Sequence, residues 1–347
     1  MKTQAAILVE QRAPLEIDEI ELPALGYGHV LVEVRATRIC GSQIGEIDGA
    51  KGPDRYLPHL LGHEAGGIVR EVGPEVTQVK PGDHVVLHWR PGKGINAKPV
   101  SYRRGSQVIN AGNITTFQQF TVVSENRLTV IPENVDFEVA ALLADTLTTG
   151  FGTVTREAKV EIGESVLVIG AGGIGLGAIQ AASLAGAYPV IAADLLPNKL
   201  EKASQFGATH TVNTSNYDLV ESVRNLLDGE AVDVVIDGTG QPAVLDQAWQ
   251  LLGRTGRLVL IGVMRHDRQF SLNTLPLHFG KVLTGTEGGS SRPAEDIPRY
   301  LRAMRGGRFD PRGMVTHRTA LTDINQAITA MRQGQAVHTM VTFPAAA

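Results

Sequence analysis

Short apolar runs separated by turn residues fill the first third of the chain. Val30–Val34, Ala65–Val72 and His84–Leu87 read as strands. Gly26-Tyr27-Gly28, Val72-Gly73-Pro74 and Pro81-Gly82-Asp83 supply the turns between them. Such spacing predicts a mostly β domain. Between Trp89 and Asn113 the apolar pattern fades into polar, glycine-rich sequence with Pro91-Gly92, which predicts a surface loop or small lobe. From about Leu147 the rhythm changes. Val166–Ile169, Val190–Ala193, Val232–Ile236 and Leu258–Ile261 read as buried strands. Ile174–Leu184, Asn198–Phe206 and Leu219–Leu227 read as helices, and Gly207 as a helix stop. Repeated βα units of this kind predict a parallel, doubly wound sheet. Two amphipathic helices, Glu295–Met304 and Asp323–Met331, and a last strand, Thr339–Phe343, close the chain.

Composition narrows the functional classes. The 347 residues are enough for two domains, and 43% hydrophobic with 20% charged residues is ordinary for a globular protein. A formal net charge of −4 recommends neither nucleic acid nor an anionic membrane as partner. Ser165–Ala193 holds no charge and is long enough to span a bilayer, but its glycines, Gln180 and Pro189 make it strand, turn, helix and strand instead. Ala5–Val9 is too short for the core of a secretory signal. The single cysteine, Cys40, leaves no intrachain disulfide and fits a reducing cytoplasm.

Two stretches carry chemistry. Cys40 lies in Ile39-Cys40-Gly41-Ser42, and Gly62-His63-Glu64 follows with His63 twenty-three positions on. Thiolate, imidazole and carboxylate are zinc ligands, although a lone cysteine is also a common buried apolar filler. The second stretch is Gly170-Ala171-Gly172-Gly173-Ile174-Gly175, which follows a predicted strand and opens a predicted helix. A second strand then ends in Asp194, nineteen residues after Gly175. This is the full context of a dinucleotide fingerprint. Gly170 permits the turn, Gly172 admits the pyrophosphate to backbone N–H groups, and Gly175 permits close helix–strand packing. Asp194 can accept both ribose hydroxyls and repel a 2′-phosphate, which favours NAD over NADP. Lys199 is within reach of that ribose, and Ile261 and Val263 close a later strand where the nicotinamide would lie.

Read together, the chain resembles the zinc-containing medium-chain alcohol dehydrogenases. The resemblance runs the whole length: Cys40-Gly41-Ser42, Gly62-His63-Glu64-Ala65-Gly66-Gly67, Lys80-Pro81-Gly82-Asp83-His84-Val85, Thr115-Thr116-Phe117, and Asp145-Thr146-Leu147-Thr148-Thr149-Gly150-Phe151 before the dinucleotide fold. It implies an α/β protein with a GroES-like, mostly-β catalytic domain at 1–146 and again at 287–347, and a Rossmann NAD-binding domain at 147–286. It implies one catalytic Zn2+ on Cys40, His63 and Asp145, with Glu64 beside it or within the coordination sphere. Ser42 matches the hydroxyl that exchanges a proton with the substrate, Thr149 a residue packed on the nicotinamide, and Trp89 a residue of the substrate pocket. His338 falls where relatives carry an arginine for the pyrophosphate. A homodimer or homotetramer, built through the dinucleotide domain, is also implied.

The departures from the family pattern matter as much. Trp89–Asn113 lacks the four cysteines of the family's structural zinc, so one zinc per chain is expected. Gln43 stands where a carboxylate often orients the zinc-bound imidazole; its amide oxygen is expected in that role. Gly45 replaces a proton-relay histidine, leaving a route through ribose and water or through Glu46. Lys51 stands where members acting on glutathione adducts are acidic, which argues against such a substrate. The polar segment around His88, Trp89, Arg90 and Lys93 favours a polyol, sugar or other polar secondary alcohol. Two other readings stay open on sequence: a zinc-free NADPH-dependent enone or quinone reductase, and a non-catalytic NAD-binding protein.

Overall fold

In the computed structural model, which describes residues 1–345, the chain divides into two units: Met1–Asp145 with Arg292–Ala347, and Thr146–Ser291. In the second unit, six strands run parallel in the spatial order His210–Asn213, Val190–Asp194, Val166–Ile169, Val232–Asp237, Leu252–Leu260, Val282–Gly285. By chain position this is 3-2-1-4-5-6, so the strand order reverses beside the first strand, where ligands bind in such sheets. Val166–Ile169 is buried at every position, as a strand covered on both faces must be. The helix Gly173–Ala185 starts at the fingerprint glycines and ends at Gly186 in the left-handed conformation. No helix among the described residues is long and apolar enough to cross a membrane, and Ser165–Ala193 forms strand, helix and strand.

The first unit is built from two β systems. A closed barrel orders Lys2–Leu8, Glu16–Glu21, Ser101–Arg104, Gln107–Asn110 and His59–Leu60. A seven-stranded sheet orders Leu128–Val130, His84–His88, Glu64–Val72, His29–Ile39, Thr339–Thr342 and His317–Thr319, with Phe120–Ser124 also pairing His29–Ile39. The predicted loop at Trp89–Asn113 therefore contains a hairpin, Ser101–Arg104 with Gln107–Asn110. Its inward residues, Tyr102 and Ile109, are fully buried in the barrel. Four-residue strands that themselves carry Arg103, Arg104 and Gln107 leave too little alternation to be read from sequence.

The lobe is anchored by a carboxylate. Glu125 is fully buried, its Oε1 accepts from the backbone N–H of Thr77 (2.5 Å) and Gln78 (2.6 Å), and its Oε2 from that of Ile95 (2.7 Å). Burial alone would raise its pKa, but these N–H groups hold it below the usual carboxylate range.

Candidate active site

Cys40 ends the strand His29–Ile39 and starts the helix Gly41–Ile47. Its position is fixed by Gln43, whose Oε1 accepts from the Cys40 N–H at 2.8 Å. The other end of that amide, Nε2, lies 2.5 Å from His63 Nδ1. The Gln43 oxygen is thus spent on the helix start rather than on the imidazole, because an N–H at a buried helix terminus must find an acceptor. One side chain still orients both candidate ligands.

His63 and Glu64 come from the turn into Glu64–Val72. Gly62 makes that turn with φ +92°, and a Cβ there would stand 2.3 Å from Thr116 Oγ1. Only glycine fits both conditions. Asp145 follows the helix Phe137–Ala144, whose start is capped by Asp136 accepting from Glu138 N at 2.7 Å. Residues Val139–Ala144 are all buried, so the helix end is held firmly.

These elements bring four groups together. The Cys40 thiol, a His63 nitrogen and carboxylate oxygens of Glu64 and Asp145 all lie within 4.8 Å of one another. His63 Nε2 stands 3.3 Å from Asp145 Oδ2 and 3.9 Å from Glu64 Oε1, and it is buried without a well-formed hydrogen bond. The donor set is one soft sulfur, one nitrogen and hard oxygens around a buried point, which suits zinc. Burial opposes charge on His63, but Asp145 and Cys40 raise its pKa well above the ordinary value. Burial likewise pushes the Cys40 thiol up, and Arg38 and His63 pull it net below its usual value.

Arg38 was not singled out from sequence. It is fully buried, donates from Nε to Glu64 Oε1 at 2.8 Å, and its Nη1 lies 3.5 Å from His338 Nδ1. The strand register Thr37↔Ala65 puts Arg38 opposite Glu64. Its signal in sequence was weak, because the same strand also carries Glu33 and Arg35. Despite Arg38, burial leaves the Glu64 carboxyl above its usual pKa. His338 has no solvent-exposed surface and sits in this buried network.

Trp89 also belongs here. Its Nε1 donates to Asp145 Oδ1 at 2.8 Å. His88, expected to lend polarity to a substrate pocket, is instead fully buried, with Nδ1 donating to Arg90 O (2.7 Å) and Nε2 accepting from Thr129 Oγ1 (2.9 Å). Burial lowers its pKa to about 4. Ser42 Oγ is buried without a hydrogen-bond partner. Glu46 is paired with Lys51 at 2.9 Å on the surface, so the two charges meet each other.

In the second unit, Gly170 takes φ +93°, and a Cβ on Gly175 would stand 2.0 Å from Gly170 O. A Cβ on Gly172 would meet nothing within 4 Å, which leaves the approach to the helix start at Gly173 and Ile174 open. Asp194 accepts from Ala171 N (2.8 Å) and Leu196 N (3.0 Å), and Lys199 Nζ lies 3.7 Å away. Ile261 and the exposed Val263 follow the strand Leu252–Leu260, and Thr149 is buried in the helix Thr146–Gly152.

A dinucleotide loop in one unit and a thiolate–imidazole–carboxylate cluster in the other define a metal-dependent dehydrogenase, and comparison with known proteins gives its kind. Residues 26–133 match the alcohol dehydrogenase GroES-like domain family and residues 173–305 the zinc-binding dehydrogenase family. The S-(hydroxymethyl)glutathione dehydrogenase of Paracoccus denitrificans is 32% identical, and the alcohol dehydrogenase class-3 of Cereibacter sphaeroides 33%, each over 99% of this chain and 100% of the relative. Among solved structures, benzyl alcohol dehydrogenase from Acinetobacter calcoaceticus superposes with TM-score 0.89 at 28% identity, over 99% of this chain and 100% of that one. The chain belongs to the zinc-containing alcohol dehydrogenase family, with the GroES-like and Rossmann architecture its motifs implied. It is a zinc-dependent, NAD-linked oxidoreductase acting on a small-molecule alcohol.

Proposed function

We propose that Cys40, His63 and Asp145 hold the single zinc of this enzyme, with Glu64 held back by Arg38. The observation that carries this is the convergence of the four donors within 4.8 Å around His63 Nε2. When bound, zinc supplies a Lewis acid that polarises the alcohol or carbonyl oxygen. Ser42 Oγ, buried and unpaired, would accept a hydrogen bond from the substrate hydroxyl and relay its proton by releasing its own. Gln43 fixes Cys40 and His63 so that neither must reorient during turnover. Glu46 is engaged by Lys51 at the surface, which leaves it poorly placed to take a proton from Ser42.

Gly172 and the helix start at Gly173 receive the pyrophosphate, and Asp194 with Lys199 receives the adenosine ribose. Thr149, Ile261 and Val263 line the nicotinamide side. His338 serves the Arg38–Glu64 network rather than the pyrophosphate. Glu125 replaces metal as the anchor of the lobe at 89–113, which supports one zinc per chain. With His88 turned into the core, the case for a polar secondary alcohol rests on Arg90 and Lys93. The exposed Leu275, Phe279 and Val282 beside the outer strand Val282–Gly285 support a homodimer or homotetramer, and a lone reduced thiol a cytoplasmic setting.

The test is zinc content by mass spectrometry together with NADH formation on an alcohol panel that includes S-(hydroxymethyl)glutathione. One zinc per chain and turnover of a polar alcohol are expected. Two zincs per chain, or turnover of the glutathione adduct alone, would refute the assignment of sites or substrate.

A further inference from the structure

We propose that Trp89 is a positioning residue that makes Asp145 a one-oxygen zinc ligand. This rests on the zinc assignment above. A carboxylate differs from a thiolate in offering two equivalent donors, so an Asp ligand can swing between them or chelate through both. Here one oxygen is engaged: Trp89 Nε1 donates to Asp145 Oδ1 at 2.8 Å, while Oδ2 is the oxygen facing His63 Nε2 at 3.3 Å. The indole N–H therefore decides which oxygen meets the metal.

The indole is itself held in place. The Trp89 carbonyl accepts from Arg127 Nη1, and the neighbouring His88 is pinned through both ring nitrogens to Arg90 O and Thr129 Oγ1. The Arg90 guanidinium lies 5.7 Å from the centre of the Trp89 ring, a cation–π distance. A tryptophan rather than a phenylalanine is needed, because only the indole carries an N–H.

The experiment is a double-mutant cycle read by zinc affinity, from competition with a chromogenic chelator, and by the spectrum of the cobalt-loaded protein. Trp89→Phe keeps the ring and removes the donor. It should weaken zinc binding about 10-fold, within the range that such supporting partners command, and shift the cobalt bands as Asp145 turns two-oxygen. In an Asp145→Cys background the same Trp89→Phe change should alter affinity less than 2-fold, since a thiolate has no second oxygen to hold. Equal losses in the two backgrounds would mean that Trp89 only packs the loop, and would overturn the proposal. So would an unchanged affinity and cobalt spectrum in Trp89→Phe. Failure of the unmutated chain to bind zinc would remove the zinc assignment, and this proposal with it.

Discussion

Two buried carboxylates in the same unit are built on opposite rules. Glu125 receives three backbone N–H groups, distributed over both oxygens, and the lobe closes around it. Asp145 instead accepts from Trp89 through one oxygen and stands with Cys40, His63 and Glu64 in a cluster whose ligand atoms lie within 4.8 Å of one another. The first arrangement is complete as it is. The second leaves His63 Nε2 buried without a hydrogen bond, and so is stable only because the surrounding strands and the helix Phe137–Ala144 hold it there. The structural carboxylate is satisfied by the chain, whereas the functional cluster keeps one nitrogen, His63 Nε2, buried without a hydrogen bond.

The comparison makes ordered predictions. The largest effect belongs to Cys40→Ser, which should remove bound zinc and lower turnover by at least about 1,000-fold, as loss of a Lewis acid does, while thermal stability moves little. Retained turnover without zinc would end the distinction. Next, Glu125→Ala should destabilise the unit by about 3 kcal/mol in urea unfolding, because it orphans buried N–H groups, yet leave zinc content unchanged. Loss of zinc in that variant would show that the two arrangements are one. A third and smaller effect comes with pH. His88 has a folded pKa of about 4 against an ordinary 6.5, so the unfolded chain binds the extra proton below 6.5. Stability is then full above pH 6.5 and falls at about 1.4 kcal/mol per pH unit towards pH 4, or about 2 kcal/mol by pH 5. Unfolding midpoints at pH 7 and pH 5 check this, and His88→Gln should flatten that part of the slope.

Asp194 sharpens the comparison from the middle. It holds the glycine loop through Ala171 N and the start of the helix Pro197–Gln205 through Leu196 N, and it is also the ribose acceptor of the proposed site. Asp194→Ala should therefore weaken NAD binding about 10-fold, weaken NADP less, and cost some stability as well. Equal loss of both cofactors, measured by calorimetric titration, would mean that the carboxylate serves the loop alone.

Where sequence sufficed, the determinants were local. Val166–Ile169, the glycines after it and Asp194 could be read because a buried parallel strand is a bare apolar run and the turn demands glycine. The Cys40 and Gly62-His63-Glu64 segments stood out because few residue types serve as ligands, whereas Asp145 was marked only by the family resemblance. What was missed depends on register or on distant partners. Arg38 meets Glu64 only through strand pairing, and Trp89 meets Asp145 across 56 positions of sequence. His88 looked polar in sequence and proved buried because two acceptor and donor groups, Arg90 O and Thr129 Oγ1, await it in the core. The hairpin Ser101–Asn110 was hidden by its brevity.

The two tryptophans fall one in each unit, and each sits beside a different charge. Trp89 touches the Asp145 carboxylate, whereas the Trp249 ring lies 4.8 Å from Lys281 Nζ. Intrinsic fluorescence is therefore already split into two reporters. A Trp249→Phe chain would emit from the metal side alone, so ion uptake could be followed by light in real time without any added dye.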